Sequence, residues 1–299
     1  MNHSYDELLP KLPSFSNELI EQCTQSRDFR PILFEWYKFV GIFCNIIASI
    51  CPDSPALREI SPVHYAVLIG LLNRCTRLML SNIRLSSTRK YGETTSLLDR
   101  CISESAIKVQ WLCLKNNDDS FVQYLADGLK KDLILKKQIV ENISNRKGDV
   151  QVIEKRMLHS IDNCVGLSML SEQKISDAKK LPDFAQMCKD LNYSDVFYTA
   201  IQRMGSHAIH GTWSDLIFNY ISKENGQRFY LRDIGKSTQD VQYILIIHLV
   251  LVAMKSFINF ITSKDSEIVE FITLIDNVDN KIIEIRNLAW ASDFDIDKK

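Results

Sequence analysis

Glycine and proline are both scarce, at 10 and 7 of 299 residues. So few chain breakers exclude an all-β fold with many tight turns and favour long helices. An excess of one charge is lacking too. The net charge is −1, so no global field draws the chain to nucleic acid, and any basic surface must be local. The eight cysteines include no Cys-x-x-Cys pair. Most fall at apolar helical positions and read as buried free thiols of a reducing cytosol. Also missing are Gly-x-x-x-x-Gly-Lys, Gly-x-Gly-x-x-Gly, Gly-x-Ser-x-Gly and His-Glu-x-x-His. Those absences weigh against a P-loop ATPase, a dinucleotide enzyme, a lipase-type hydrolase and a zincin. No cofactor is expected.

Long apolar runs are lacking as well. Phe39 to Cys51 is interrupted by Asn45, and Tyr243 to Met254 contains His248. Both fall short of the ~20 residues of a spanning helix, so core helices and no membrane association are expected. No basic segment leads into an apolar one at the start, so neither is a signal peptide. The expected location is cytoplasmic.

What is present has the proportions of a folded domain, with 45% apolar and 24% charged residues. The expected architecture is mostly all-α: a multi-helix bundle in one domain over 1–299, with residues 1–60 as a subdomain. Helical spacing and caps place helices over Ile32 to Ile50, Ser61 to Leu85, Thr95 to Leu114, Phe121 to Asn145 and Val150 to Val165. Others follow over Asp183 to Leu191, Val196 to His210, Val241 to Thr262 and Ser266 to Asn287. Gly166 to Pro182 reads as a polar connection. Asn225-Gly226 between apolar runs signals one small β-hairpin near 216–232.

Two polar features stand out among these helices. Arg74, Arg77, Ser81 and Arg84 form a stripe, Arg89 and Lys90 follow, and no acidic residue occurs from Leu71 to Lys90. Such a stripe suits a phosphate backbone or a solvated face. Arg100 and Glu104 stand one turn apart on a helix that is apolar on most sides, so they need partners if buried. Lys130, Lys131, Lys136 and Lys137 are expected to face solvent.

Chemistry concentrates in Gln202 to Trp213. Arg203, Ser206, His207 and His210 share one helical face at i, i+3, i+4 and i+7. Three readings of this face compete. A metal-independent ribonuclease site would use histidine as base or acid near neutral pH and arginine to hold the charged phosphorane. A metal site would use His207, His210 and Glu104. A structural cluster would satisfy Glu104 and the carbonyls of a helix end, in a protein that acts by binding.

Arg203 and His210, as Arg-x(4–6)-His on a late helix of an all-α chain, resemble the HEPN superfamily (higher eukaryotes and prokaryotes nucleotide-binding). Met204 stands where that family often carries a polar residue. The resemblance implies a HEPN-like core over 61–290 and an RNA-cleaving effector of a defence or toxin-type system. Arg and His of two protomers would meet across a homodimer interface, or the chain would serve a partner protein of such a system. On that reading Arg203 holds phosphate, His210 is the base or acid, and His207 and Ser206 orient it. Arg100 and Glu104 back them, and Arg74, Arg77, Arg84, Arg89 and Lys90 hold RNA. Arg100, Glu104, Ser206, His210 and Gly211 also resemble the Arg-x-x-x-Glu and Ser-x-x-x-His-Gly motifs of a bacterial helical family without an assigned reaction. That likeness implies that the two motifs pair in space.

Overall fold

The computed structural model describes residues 10–224, 228–232, 235–262 and 269–290. Helices form where the spacing and the caps require them. Ser16 caps α1 (Asn17–Ser26), and Pro31 opens α2 (Arg30–Ala48). Then come α3 (Pro62–Ser86), α4 (Gly92–Lys115), α5 (Asp118–Asn145) and α6 (Val152–Leu167). The expected polar connection contains a short helix, α7 (Glu172–Asp177), anchored by the buried Ile175 and Leu181. After it stand α8 (Phe184–Asp190), α9 (Asp195–His210) and the single turn α10 (Trp213–Asp215). The closing helices are α11 (Asp240–Ile261) and α12 (Val269–Trp290).

The hairpin is present but begins later than its apolar run. Leu216–Tyr220 is a π turn, and the strands are β1 (Ile221–Glu224) and β2 (Arg228–Leu231), antiparallel with Lys223 opposite Phe229. The Asn225-Gly226 turn lies outside the described residues.

Two helices carry the core. α11 is buried nearly all round, with Ile246, Leu249, Val250, Leu251 and Met254 fully enclosed. α4 packs against it and against α3 and α9. Gln110 ties the crossing by donating to the Leu249 carbonyl at 3.2 Å. α2 and α11 are, by length and composition, long and apolar enough to cross a membrane. The short apolar stretches of the sequence therefore belong to longer helices, of 19 and 22 residues. Here both bury most of their length within the fold. α1, α2, α3, α4, α8, α9, α11 and α12 all contribute to one apolar cluster. Residues 1–60 thus have no separate core among the described residues.

α5, α6 and α7 form an arm with a small cluster of its own around Ala126, Leu129 and Ile175. Lysines expected in solvent hold this arm together. Lys130 donates to the Ala178 carbonyl, and Lys136 bridges Asp162 and Glu172 at 2.9 Å each. All eight cysteines are free, but Cys51 and Cys164 are exposed, so not every thiol is a core thiol.

The core also holds an acid. Asp99 of α4 is 1% exposed and has no cationic partner among the described residues. It accepts from Asn82 of α3 at 2.6 Å and from Gln242 of α11 at 2.9 Å. Gln242 cannot turn its amide freely, because its oxygen accepts from the Gln239 N–H at 2.9 Å. Burial pushes the Asp99 carboxyl up to about 8.

Candidate functional site

Local rules set both ends of α9. At its start, Ser194 accepts from the Phe197 N–H at 3.2 Å. Tyr193 stacks on Phe197 with ring centroids 4.1 Å apart and donates to Gln110 of α4 at 2.8 Å. At its end, Gly211 takes φ 54°, the left-handed conformation that glycine adopts without a Cβ penalty, and its N–H returns to the His207 carbonyl.

The buried side of α9 carries Ile201 and Gly205. Gly205 is where the two backbones approach. A Cβ placed there would lie 2.6 Å from the Arg100 Cβ and 3.0 Å from the Ser96 carbonyl oxygen. Arg100 then clamps the crossing. Its Nε donates to Glu104 at 2.8 Å and its Nη1 to the Gln202 carbonyl at 3.0 Å, while Phe184 lies under the guanidinium at 5.4 Å. The side chains of Arg100 and Glu104 are 17% and 34% exposed. The Arg100–Glu104 helix and the motif helix are therefore direct neighbours.

The remaining side of α9 is turned to solvent. Arg203, His207 and His210 are exposed, and Ser206 is half-buried. Arg203 and His210 have no hydrogen-bond or ion-pair partner among the described residues. His207 is held by one contact, Nδ1 to the Thr212 hydroxyl at 2.8 Å, which leaves Nε2 unbonded. Thr212 also caps α10 by accepting from the Asp215 N–H, so the histidine and the next turn are fixed by one side chain.

This arrangement shows which of the expected contacts are made. Glu104 is taken by Arg100, not by Arg203 or a histidine, so the structural-cluster reading loses its main contact. No three His, Cys, Asp or Glu among the described residues converge for an ion. His207, His210 and Glu104 are not gathered into such a group, Glu104 being bonded to Arg100.

The residues of the basic stripe meet different parts of the fold. Arg74 donates to Ser105 of α4 at 2.8 Å and borders a groove of about 890 Å³ between α3 and the arm. Arg89 lines a separate cavity of about 200 Å³ with Arg30 and Tyr243. Arg77, Arg84 and Lys90 are exposed. α3 and α9 pack on different faces of α4: Ser105 meets Arg74, whereas Ser96 and Arg100 meet Gly205.

Two histidines read as isolated have partners. His248 of α11 bonds Asp279 of α12 at 2.9 Å, at the edge of an apolar groove of about 450 Å³. His64 stacks on Phe121 with centroids 3.9 Å apart, and burial holds it below the ordinary imidazole range. A set that sequence reasoning missed lies just past the motif: the exposed rings Trp213, Phe218 and Phe229 with Lys223 and Lys236 among them. The alternation of aromatic and basic residues after Gly211 was the available signal.

Residues 65–228 match a family of unknown function, DUF5677, over more than half of the chain. The chain belongs to that family. No curated protein and no solved structure matches it. The DUF5677 segment runs from α3 to the start of β2. It holds Arg100, Glu104, Arg203, Ser206, His210 and Gly211, while α2 and α11, which complete the core, lie outside it.

Proposed function

We propose that the chain is a metal-independent, HEPN-like endoribonuclease whose working face is the solvent side of α9. One observation carries the reading. α9 presents Arg203 and His210 two turns apart, exposed and uncommitted, on a helix held in place by Arg100. Both side chains are open to solvent, so an arginine donor and an imidazole stand free to meet a phosphate.

The reaction is attack of a ribose 2′-oxygen on the adjacent phosphorus, with the P–O5′ bond breaking. His210 accepts the 2′-OH proton or gives a proton to the departing O5′. Arg203 donates to the non-bridging oxygens as their charge grows. His207, braced by Thr212, orients the phosphate or serves as the second proton carrier. Products are a 2′,3′-cyclic phosphate and a 5′-hydroxyl. One α9 supplies few donors for this charge. Two α9 helices facing each other in a homodimer double them, and the exposed Val196 and Ile209 on the same helix suit such a contact. A cytoplasmic effector of a defence or toxin-type system is the setting this chemistry fits. Mapping the ends of cleaved RNA tests the mechanism. Cyclic phosphate ends support it, and 5′-phosphate ends would exclude it.

A second reading has one observation behind it. The exposed rings beyond α9 suit an interaction protein without catalysis. Binding of RNA or protein with no cleavage under any condition would select it.

A further inference from the structure

The hairpin is a larger exposed apolar surface than a two-stranded ribbon holds by itself. Two strands of four residues are marginal in water, yet all four residues of β2 are exposed. Alternation places Lys223, Phe229 and Leu231 on one face. Trp213 of α10 meets Phe229 of that face edge-on, with centroids 5.9 Å apart and planes at 75°. Trp213 is 62% exposed, and Phe218 of the π turn is 61% exposed. Cations accompany the rings: Lys223 lies 5.7 Å from the Phe229 centroid and Lys236 lies 5.3 Å from that of Phe218. Of the nearby acids, Asp215 is buried and bonded by the Asn219 amide, and Glu224 pairs in register with Arg228 on the opposite face of the ribbon, while Glu93 lies by Gly235.

We propose that Trp213 and Phe229, with Lys223 beside them, form a stacking platform for unpaired nucleotides. The charge pattern chooses the occupant. Cores of protein interfaces are depleted of lysine, whereas single-strand sites combine cations for the phosphates with aromatic faces for the bases. Duplex RNA buries its base faces and offers none to stack. The platform is coupled to α9 through Thr212, which bonds His207 and caps the turn carrying Trp213. A strand stacked on Trp213 therefore lies beside the residue that bonds His207, at the C-terminal end of α9. The inference rests on the nuclease reading for its RNA and adds to it the demand for a single strand.

The test uses the full chain carrying His210→Ala, so that no RNA is consumed, and a labelled 12-nucleotide RNA in EDTA. Binding is read by anisotropy and by tryptophan fluorescence, against the same strand in a duplex. The expected result is single-strand binding at least about tenfold tighter than duplex binding. Trp213→Ala with Phe229→Ala weakens it by about 10- to 100-fold, the effect of losing one or two stacked bases. In a Trp290→Phe background, which removes the other exposed indole, Trp213→Phe keeps the binding but loses the quench, because Trp36 and Trp111 are buried. Both residues are exposed, so the variants are expected to fold, as circular dichroism checks. Equal binding by the double variant, equal affinity for duplex, no RNA binding, or an unchanged quench in Trp213→Phe overturns the platform. So does a shift of the double variant from dimer to monomer with RNA binding intact, which would make this a protein interface. The two readings fail separately. Stacked RNA that the unmodified chain never cleaves refutes the nuclease alone, and cleavage undiminished in the double variant refutes the platform alone.

Discussion

Gly205→Ala is a single methyl placed at the closest approach of α9 and α4. Its carbon would stand 2.6 Å from the Arg100 Cβ, 3.0 Å from the Ser96 oxygen and 3.2 Å from the Arg100 Cγ. None of these neighbours is the free end of a flexible chain, so the helix must move. Ordinary contact begins near 3.4 Å, so α9 must retreat by roughly 1 Å. The Arg100–Gln202 bond, now 3.0 Å, then stretches past hydrogen-bonding distance. Overpacking of this kind costs about 1–3 kcal/mol, and the lost charged bond adds about 1 kcal/mol or more. Gly70→Ala is the control. Nothing lies within 4 Å of its Cβ position, and alanine in a helix interior favours folding by up to about 1 kcal/mol. Urea unfolding of both variants should therefore move in opposite directions. Any RNA cleavage should fall in Gly205→Ala, although Arg203 and His210 are untouched. If Gly205→Ala is as stable as the unmodified chain, the packing of α9 on α4 described above is wrong.

Other expectations follow from the same coordinates. Asp99 has a folded pKa near 8 against an ordinary 3.8, so its protonated form stabilises the fold fully below pH 4, and that contribution is lost as pH rises through 8. The slope is up to about 1.4 kcal/mol per pH unit. Unfolding free energies from pH 5 to 9 should fall more steeply for the unmodified chain than for Asp99→Asn. Parallel curves would refute the buried-acid account. His64, held low by burial, works in the opposite sense, and the difference between the two chains removes it. Arg100→Ala should lower stability by about 1.5–3 kcal/mol, because the Glu104 carboxylate and the Gln202 carbonyl lose their shared donor; calorimetry that finds no change would contradict the clamp. Gly235→Ala should be more damaging still. Its Cβ would fall 1.9 Å from the Lys90 carbonyl oxygen, where the segment after the hairpin crosses the start of α4, and the yield of soluble protein reads this out.

Helices were legible because their signals are local. Pro31, Ser61-Pro62, Asp183, Ser194 and Gly211 punctuate them, and apolar spacing fills the intervals. That the Arg100–Glu104 helix lies beside the motif helix was legible, because a helix apolar on most sides is central and its few charges need partners; that Gly205 and the Gln202 carbonyl, rather than the polar face, make the contact was not. Partner identity was less legible. Glu104 lies closer to Arg100 on its own helix than to any group of α9, and sequence spacing offered both pairings. Lys130 and Lys136 looked solvated because their acceptors come from the chain around α6 and α7, some 26 to 48 residues on. Asp99 was hidden for a similar reason. Its donors, Asn82 and Gln242, are neutral amides on two other helices, and neutral amides leave no charge pattern to read. The basic stripe was visible, but the helix crossing that sets Arg74 against Ser105 and Gly205 against Arg100, at different places on α4, was not.

The central claim is that Arg203 and His210 perform chemistry without a metal. Labelled RNA incubated in EDTA with the purified chain, beside Arg203→Ala and His210→Ala, tests it most directly. Both side chains are exposed and unpaired among the described residues, so both variants should fold with unchanged melting curves. The account predicts chelator-resistant cleavage by the unmodified chain and a loss of at least about 100-fold in each variant, the scale of a general acid–base group. Cleavage that persists in either variant, or that appears only when a divalent metal is added, would contradict it.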